Sequence, residues 1–229
     1  MRYIACMEWN RRIYGYCERA LNDGFWAEPL NALTNGSFII AGLVALILAV
    51  RARRLDGPVI WLTLLCFVVG TGSFLFHTYA MVWAAIMDSV PIMIFILSYF
   101  VISMNRFAGF GWGRSAALTL GFLVAMIAAS WVLNLLLRDL IGGSVSYVPA
   151  MLALFCVGAW LRRGGHSAGK WLISVGLIFA VSLTFRAIDK PLCAQFLIGT
   201  HWLWHLLNGV VLGTLTVAVI RHGQAPATR

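Results

Sequence analysis

Long apolar runs alternate along this chain with short clusters of Gly, Pro, Arg and Asp. Seven runs stand out, at about 31–51, 58–77, 82–104, 114–137, 145–161, 170–188 and 199–220. Each comes close to the roughly 20 residues that a helix needs to cross hydrocarbon. The breaks fall at Asp56-Gly57-Pro58, Gly109 to Gly113, Gly142-Gly143, Gly164-Gly165 and Lys190-Pro191, residues that interrupt helices. The pattern predicts an all-α integral membrane protein, a single unit over 1–229 with seven transmembrane helices. Residues 1–28 carry Arg11, Arg12, Glu18 and Glu28 and no long apolar run. They read as an extramembrane segment, and lacking a signal peptide's apolar region they are expected to stay in the mature protein.

Composition sharpens this class. The chain is 61% hydrophobic and 11% charged, more apolar sequence than one soluble core absorbs. Its net charge of +9 does not imply nucleic acid, because the cations sit in short loops between apolar runs, as the positive-inside rule requires. With the N-terminus outside, ten Lys and Arg fall inside and seven outside. The outer seven are Arg2, Arg11, Arg12, Arg19, Arg138, Arg186 and Lys190, while Arg229 closes the inner set. This predicts a multi-pass membrane protein with its N-terminus outside and its C-terminus inside. The five cysteines, Cys6, Cys17, Cys66, Cys156 and Cys193, show no CxxC spacing, which speaks against a thiolate zinc site. No internal repeat suggests a transporter's halves.

Ionisable groups inside spans are costly and mark functional sites. His77 ends the second span, and His201-Trp202-Leu203-Trp204-His205 opens the seventh, an i, i+4 pair on one helix face. Ser73 precedes His77 by one turn, and Asp88 lies just inside the third span. The predicted topology puts all five at one depth in the outer leaflet. Three neutral imidazoles with a fourth position left for water match a catalytic zinc site. Asp88 reads either as the group that moves a proton or as a carboxylate orienting a histidine. Ser73 reads either as an oxyanion donor or as a hydroxyl bonded back to its own helix. Glu18, Asn22, Asp23 and Glu28 offer hard oxygen ligands suited to calcium, or else form a solvated acidic tail. Phe74, Phe76, Trp202 and Trp204 either line an acyl pocket or pack between helices.

The runs Tyr16-Cys17-Glu18, Ala27-Glu28-Pro29-Leu30-Asn31-Ala32-Leu33-Thr34-Asn35, Gly72-Ser73-Phe74-Leu75-Phe76-His77, Met87-Asp88-Ser89-Val90-Pro91 and His201-Trp202-Leu203-Trp204-His205 resemble the alkaline ceramidase family in its bacterial branch. The resemblance spans most of the chain. It implies a seven-helix zinc-dependent amidase that cleaves the N-acyl bond of ceramide to a sphingoid base and a fatty acid. His77, His201 and His205 would bind zinc, Asp88 would transfer protons, and Ser73 would stabilise the oxyanion. The family's calcium site would use Glu18 and Glu28. Its leading aspartate falls at Gly15 and its asparagine at Ala20, leaving Asn22 or Asp23 to stand in. The resemblance further implies a disulfide between Cys17 and Cys193. The expected partner is a lipid from the bilayer, with no nucleic acid and no protein partner implied. The competing readings are a zinc-containing receptor related to the progestin and adiponectin receptors, and a lipid esterase of the same superfamily.

Overall fold

A computed structural model describes residues 8–20 and 22–223, with the side chains of Asp139 and Leu140 left aside. The expectations placed on Arg2, Cys6 and Arg229, and on Leu21 in the N-terminal run, lie outside the described residues. Helices α1 (Pro29–Thr34), α2 (Gly36–Arg51), α3 (Gly57–Tyr79), α4 (Val82–Arg106), α5 (Trp112–Ile141), α6 (Val148–Arg163), α7 (Ala168–Ile188) and α8 (His201–His222) follow one another. Seven segments are long and apolar enough to cross a membrane, the first being α1 and α2 together (Pro29–Arg51). They fit an integral multi-pass membrane protein. The fifth span begins at Gly142, because a 3-10 turn over Gly142–Tyr147 leads into α6. No strand is present among the described residues.

Helix ends follow local chemistry. Asp56 caps α3 by accepting a bond from the Val59 N–H at 3.2 Å, and Pro58 fits the first turn, where no amide donor is needed. The same Asp56 pairs with Arg106 at 3.1 Å, tying the start of α3 to the end of α4. Ala80 ends α3 in the left-handed conformation at φ 49°. Its carbonyl then accepts from the Ile13 N–H at 2.8 Å, while the Val82 N–H donates to the Arg11 carbonyl at 3.1 Å. The N-terminal segment is thereby paired to the turn between α3 and α4.

α8 is the most enclosed span and α5 the most exposed. Around α8 pack α2 and α7, while α3 packs mainly on α4. The core runs through Phe38, Leu62, Phe95, Leu172, Trp204 and Leu215. Large apolar side chains such as Ile40, Leu43, Leu120, Trp131 and Leu136 point outward, an exposure that lipid rather than water explains. Polar side chains bridge helices where they meet. Asn208 donates to the Ser182 hydroxyl at 2.9 Å, and Ser37 to the His205 carbonyl at 2.8 Å.

A second tie holds the N-terminal segment. Cys17 is disulfide-bonded to Cys193, 176 residues away, with their Cα atoms 5.3 Å apart. Closing so long a loop restricts the unfolded chain, which stabilises the fold by about 2–5 kcal/mol. Reducing agent is accordingly expected to lower the thermal unfolding midpoint of the detergent-solubilised protein. Cys193→Ser should lower it similarly and make it insensitive to reductant.

Candidate metal centre

Three imidazoles converge at the end of the bundle that the N-terminal segment covers. Ring centroids lie 4.6 Å apart for His77–His205 and His201–His205, and 5.2 Å apart for His77–His201. One potential ligand atom from each falls within 4.8 Å of the others. His77 Nε2 and His201 Nδ1 are buried without a hydrogen-bond partner, a loss that a cation receiving their lone pairs would offset. The donor set, all nitrogen and all buried, fits zinc.

Each ring is held by groups behind it. His77 Nδ1 lies 2.6 Å from Glu28 Oε2, so Nδ1 carries the hydrogen and Nε2 is left as the ligand atom, the carboxylate–histidine arrangement of metal sites. His205 Nδ1 lies 3.1 Å from the Thr34 hydroxyl. That hydroxyl donates to the Leu30 carbonyl at 2.6 Å, so it is free to accept from the ring. The Tyr16 ring stacks on His201 at 3.6 Å.

The backbone of His201 is set by Asp189. Its carboxylate accepts from the N–H groups of Thr200 at 2.7 Å, His201 at 3.0 Å and Cys17 at 3.0 Å. An acidic side chain at a helix start satisfies unpaired donors and favours the positive end of the dipole. Gly199 makes room for it: φ is +61°, and a Cβ there would stand 2.1 Å from Asp189 Oδ1.

Asp88 and Ser73 meet because α3 and α4 nearly touch. A Cβ on Gly72 would lie 1.9 Å from the Met87 carbonyl oxygen, so only glycine permits this approach. Pro91 brings no N–H to that same carbonyl four residues earlier. The adjoining Ser73 hydroxyl is thereby brought beside the Asp88 carboxylate, and His77 lies one turn on, along the same face of α3.

The four residues expected to hold calcium do not converge. Glu18 accepts from the Leu30 and Asn31 N–H groups at 2.7 and 2.8 Å and so caps α1. Burial pushes its carboxyl up, and the two backbone bonds offset only part of that. Asn22 Oδ1 accepts from the Gly24 N–H at 2.7 Å. Asp23 points outward to Arg12 at 3.3 Å and the Tyr14 hydroxyl at 2.5 Å. Glu28 faces His77 and also Arg19 Nε at 2.5 Å and Asn31 Nδ2 at 3.0 Å. Burial alone would push the Glu28 carboxyl up, but the bonds from His77, Arg19 and Asn31 outweigh it and hold it below the ordinary value.

The cation among these groups is Arg19. Beyond Glu28, its Nη1 donates to the carbonyls of Asn22 and Gly24, both at 3.2 Å, and its Nη2 to those of His77 at 2.8 Å and Thr78 at 3.1 Å. All five donors of the guanidinium are thereby used. Calcium needs six or more oxygens around one point, and here that point is a fully buried guanidinium. The arrangement does not fit a calcium site.

An apolar cavity begins beside the histidines at Trp204, which stands between His201 and His205 in sequence. Phe38, Phe95, Tyr147, Leu154, Trp204 and Leu212 are among its walls. It extends along α8 from Trp204 to Leu215, about 16 Å at 1.5 Å per residue. Of the four aromatic residues considered for such a pocket, Trp204 lines it. Trp202 donates to the Gly199 carbonyl at 3.2 Å, Phe74 packs edge-on to Trp26, and Phe76 lies against Tyr16 and His77.

Sequence reasoning missed Arg19, Thr34 and Asp189, and took Glu28 for a calcium ligand. It also placed Arg19 and Arg186 among loop cations, whereas both are drawn into the fold. An acidic residue directly abutting an apolar span was the one available signal, Glu28 just before the first and Asp189 just after the sixth.

Two outcomes follow from this geometry. Arg19→Ala strands the buried Glu28 carboxylate and is expected to cost about 3–5 kcal/mol, whereas a calcium chelator leaves the unfolding midpoint of the unaltered protein unchanged. Both are read by thermal unfolding in detergent. Gly72→Ala should push α4 away and separate Ser73 from Asp88. It is expected to lower both the midpoint and any hydrolytic activity, while zinc content measured by atomic absorption stays near that of the parent.

Comparison with known proteins agrees with the site. The profile of the family described as Ceramidase matches residues 15–225, which includes every residue named above as part of the centre. The chain is also similar to human alkaline ceramidase 1, with 25% identity over 205 residues, covering 85% of this chain and 76% of that protein. The profile covers nearly the whole sequence, and the chain belongs to the ceramidase family.

Proposed function

We propose that this protein is a zinc-dependent membrane amidase that hydrolyses the N-acyl bond of ceramide or a related N-acyl lipid. The products are a sphingoid base or other amine and a fatty acid. The observation that carries this reading is the convergence of three buried imidazoles close to Asp88 and Ser73, with an apolar cavity that begins at Trp204 beside them. Family membership supports it, since the ceramidases as a group act on an amide of this kind.

His77, His201 and His205 would hold zinc, which when bound supplies a Lewis acid for the scissile carbonyl and acidifies water. The residues of the chain do the rest. Glu28 and Thr34 fix the tautomers of His77 and His205. Asp88 takes a proton from the attacking water and returns it to the leaving amine. Its contact with Ser73 couples the two roles. While Asp88 is ionised it holds the Ser73 hydroxyl hydrogen. Once Asp88 is protonated it becomes a donor itself, and the Ser73 hydrogen is released toward the substrate oxyanion. The apolar walls hold the acyl chain and exclude water from it.

Sidedness belongs to the same reading. The site end faces outward if the loop cations set orientation, with the N-terminal segment outside and the C-terminus inside. With Arg19 and Arg186 drawn into the protein, neither acts as a loop charge.

Purified protein loaded with zinc is expected to release fatty acid from a ceramide or another N-acyl lipid in detergent micelles. Asp88→Asn should lower kcat by about 10²–10⁴. His77→Ala and His201→Ala should lose both zinc and activity. No hydrolysis of any lipid amide or ester would overturn the enzyme reading, and zinc content unchanged by the histidine variants would overturn the ligand assignment.

A further inference from the structure

Arg186 stands in the last turn of α7, inside a membrane-spanning segment. Its Nη1 donates to the Ser144 hydroxyl at 2.9 Å. Its guanidinium carbon lies 5.2 Å from the Tyr147 ring centre and 5.5 Å from that of Trp204. All three partners are neutral.

The two buried arginines, Arg19 and Arg106, are different. Arg19 is paired with Glu28 and Arg106 with Asp56. Among the described residues, no carboxylate lies within ion-pair distance of Arg186, and Asp88 acts on it only from further away. Even a half-buried guanidinium within a membrane span is costly without a counter-charge, and such a group faces a pathway or a ligand.

Its position says which ligand. Tyr147 and Trp204, which it covers, are walls of the apolar cavity. Trp204 is also stacked against His201, with ring centroids 6.4 Å apart. Arg186 therefore marks the boundary between the imidazoles and the cavity, where the polar end of a chain lying in that cavity must rest. A guanidinium presents a planar fork that matches a carboxylate with two parallel bonds.

We infer that Arg186 is the receptor for a lipid carboxylate at the mouth of the apolar cavity. Given the amidase reading, on which the source of that carboxylate rests, two origins share this chemistry. Hydrolysis adds water across the amide, breaking C–N and forming C–O, and leaves a fatty carboxylate and an ammonium group. The carboxylate is either that product or one carried by the lipid beside its scissile amide, as in an N-acyl amino acid.

The test compares hexadecanoate with 1-hexadecanol, binding to full-length zinc-loaded protein in detergent by isothermal titration calorimetry. The parent is expected to prefer the acid by about 30-fold or more, the order of a charge-assisted forked pair. Arg186→Gln should cut that preference at least tenfold while leaving the alcohol's affinity in place, and Arg186→Lys should restore part of it. The three histidines are kept throughout, so any contribution from zinc is common to every variant. Should the Gln variant not fold, Ser144→Ala, which removes one anchor of the guanidinium, is expected to weaken the same preference. A preference unchanged by all these substitutions overturns the inference.

Turnover then separates the two sources. If the substrate supplies the carboxylate, N-hexadecanoylglycine is cleaved about tenfold better than N-hexadecanoylethanolamine, as kcat/KM, and Arg186→Gln removes the difference. If the product supplies it, the two lipids are cleaved alike, and hexadecanoate inhibits the Gln variant about tenfold less strongly. Failure to cleave either lipid counts against the amidase reading alone, and the calorimetric ratio still decides the role of Arg186.

Discussion

The carboxylate of Glu28 holds the site to the fold. It is 2% exposed, stands directly before the first membrane span, and touches His77, Arg19 and Asn31 at once. Removing any one contact would leave a charge or a donor stranded in a medium that penalises both. The His77 contact decides which ring nitrogen can face a metal. The Arg19 contact reaches further, because the same guanidinium bonds the carbonyls of His77 and Thr78 at the end of α3. One buried ion pair thus sets a tautomer, closes a helix end and docks the N-terminal segment.

That segment is more than a cover. It is joined to the bundle by the disulfide at Cys17, by pairing beside Ala80, by Glu18 at the start of α1 and by Arg19. Each tie lies next to a residue of the site. Cys17 sits on Asp189, which sets the start of α8 and so His201. Tyr16 covers that same histidine. The three imidazoles come from only two helices, yet what aims them is largely the chain outside the membrane.

Much of this was legible beforehand. Bilayer thickness imposes one length on every span, so the seven helices could be read from apolar runs and breakers alone. His77, Ser73, Asp88, His201 and His205 stood out because polar groups in hydrocarbon are rare enough to notice. Glu28, Asp189 and Arg19 were harder to see. Outside the hydrocarbon, charged residues are ordinary, and no spacing rule separates a solvated carboxylate from one buried against a histidine 49 positions away. The calcium expectation went astray for that reason. Oxygen-bearing side chains close in sequence were taken as one cluster, while the folded chain sends Asp23 to the surface and gives Glu18 to a helix end. Gly72 was equally silent, since its meaning depends on where Met87 lies.

The contrast between Arg19 and Arg186 carries one further step. Both were counted as loop cations, and both are drawn into the protein near the imidazoles. Arg19 is matched by a carboxylate and has every donor occupied, so it is part of the framework. Arg186 is surrounded by a hydroxyl and two aromatic faces, partners that orient a guanidinium without neutralising it. A site that sets one guanidinium without a paired carboxylate between three imidazoles and an apolar cavity is electrostatically biased toward an anion with a long hydrocarbon tail. Neutralisation by a fatty carboxylate would satisfy the guanidinium and the cavity together, and no residue of the chain does both.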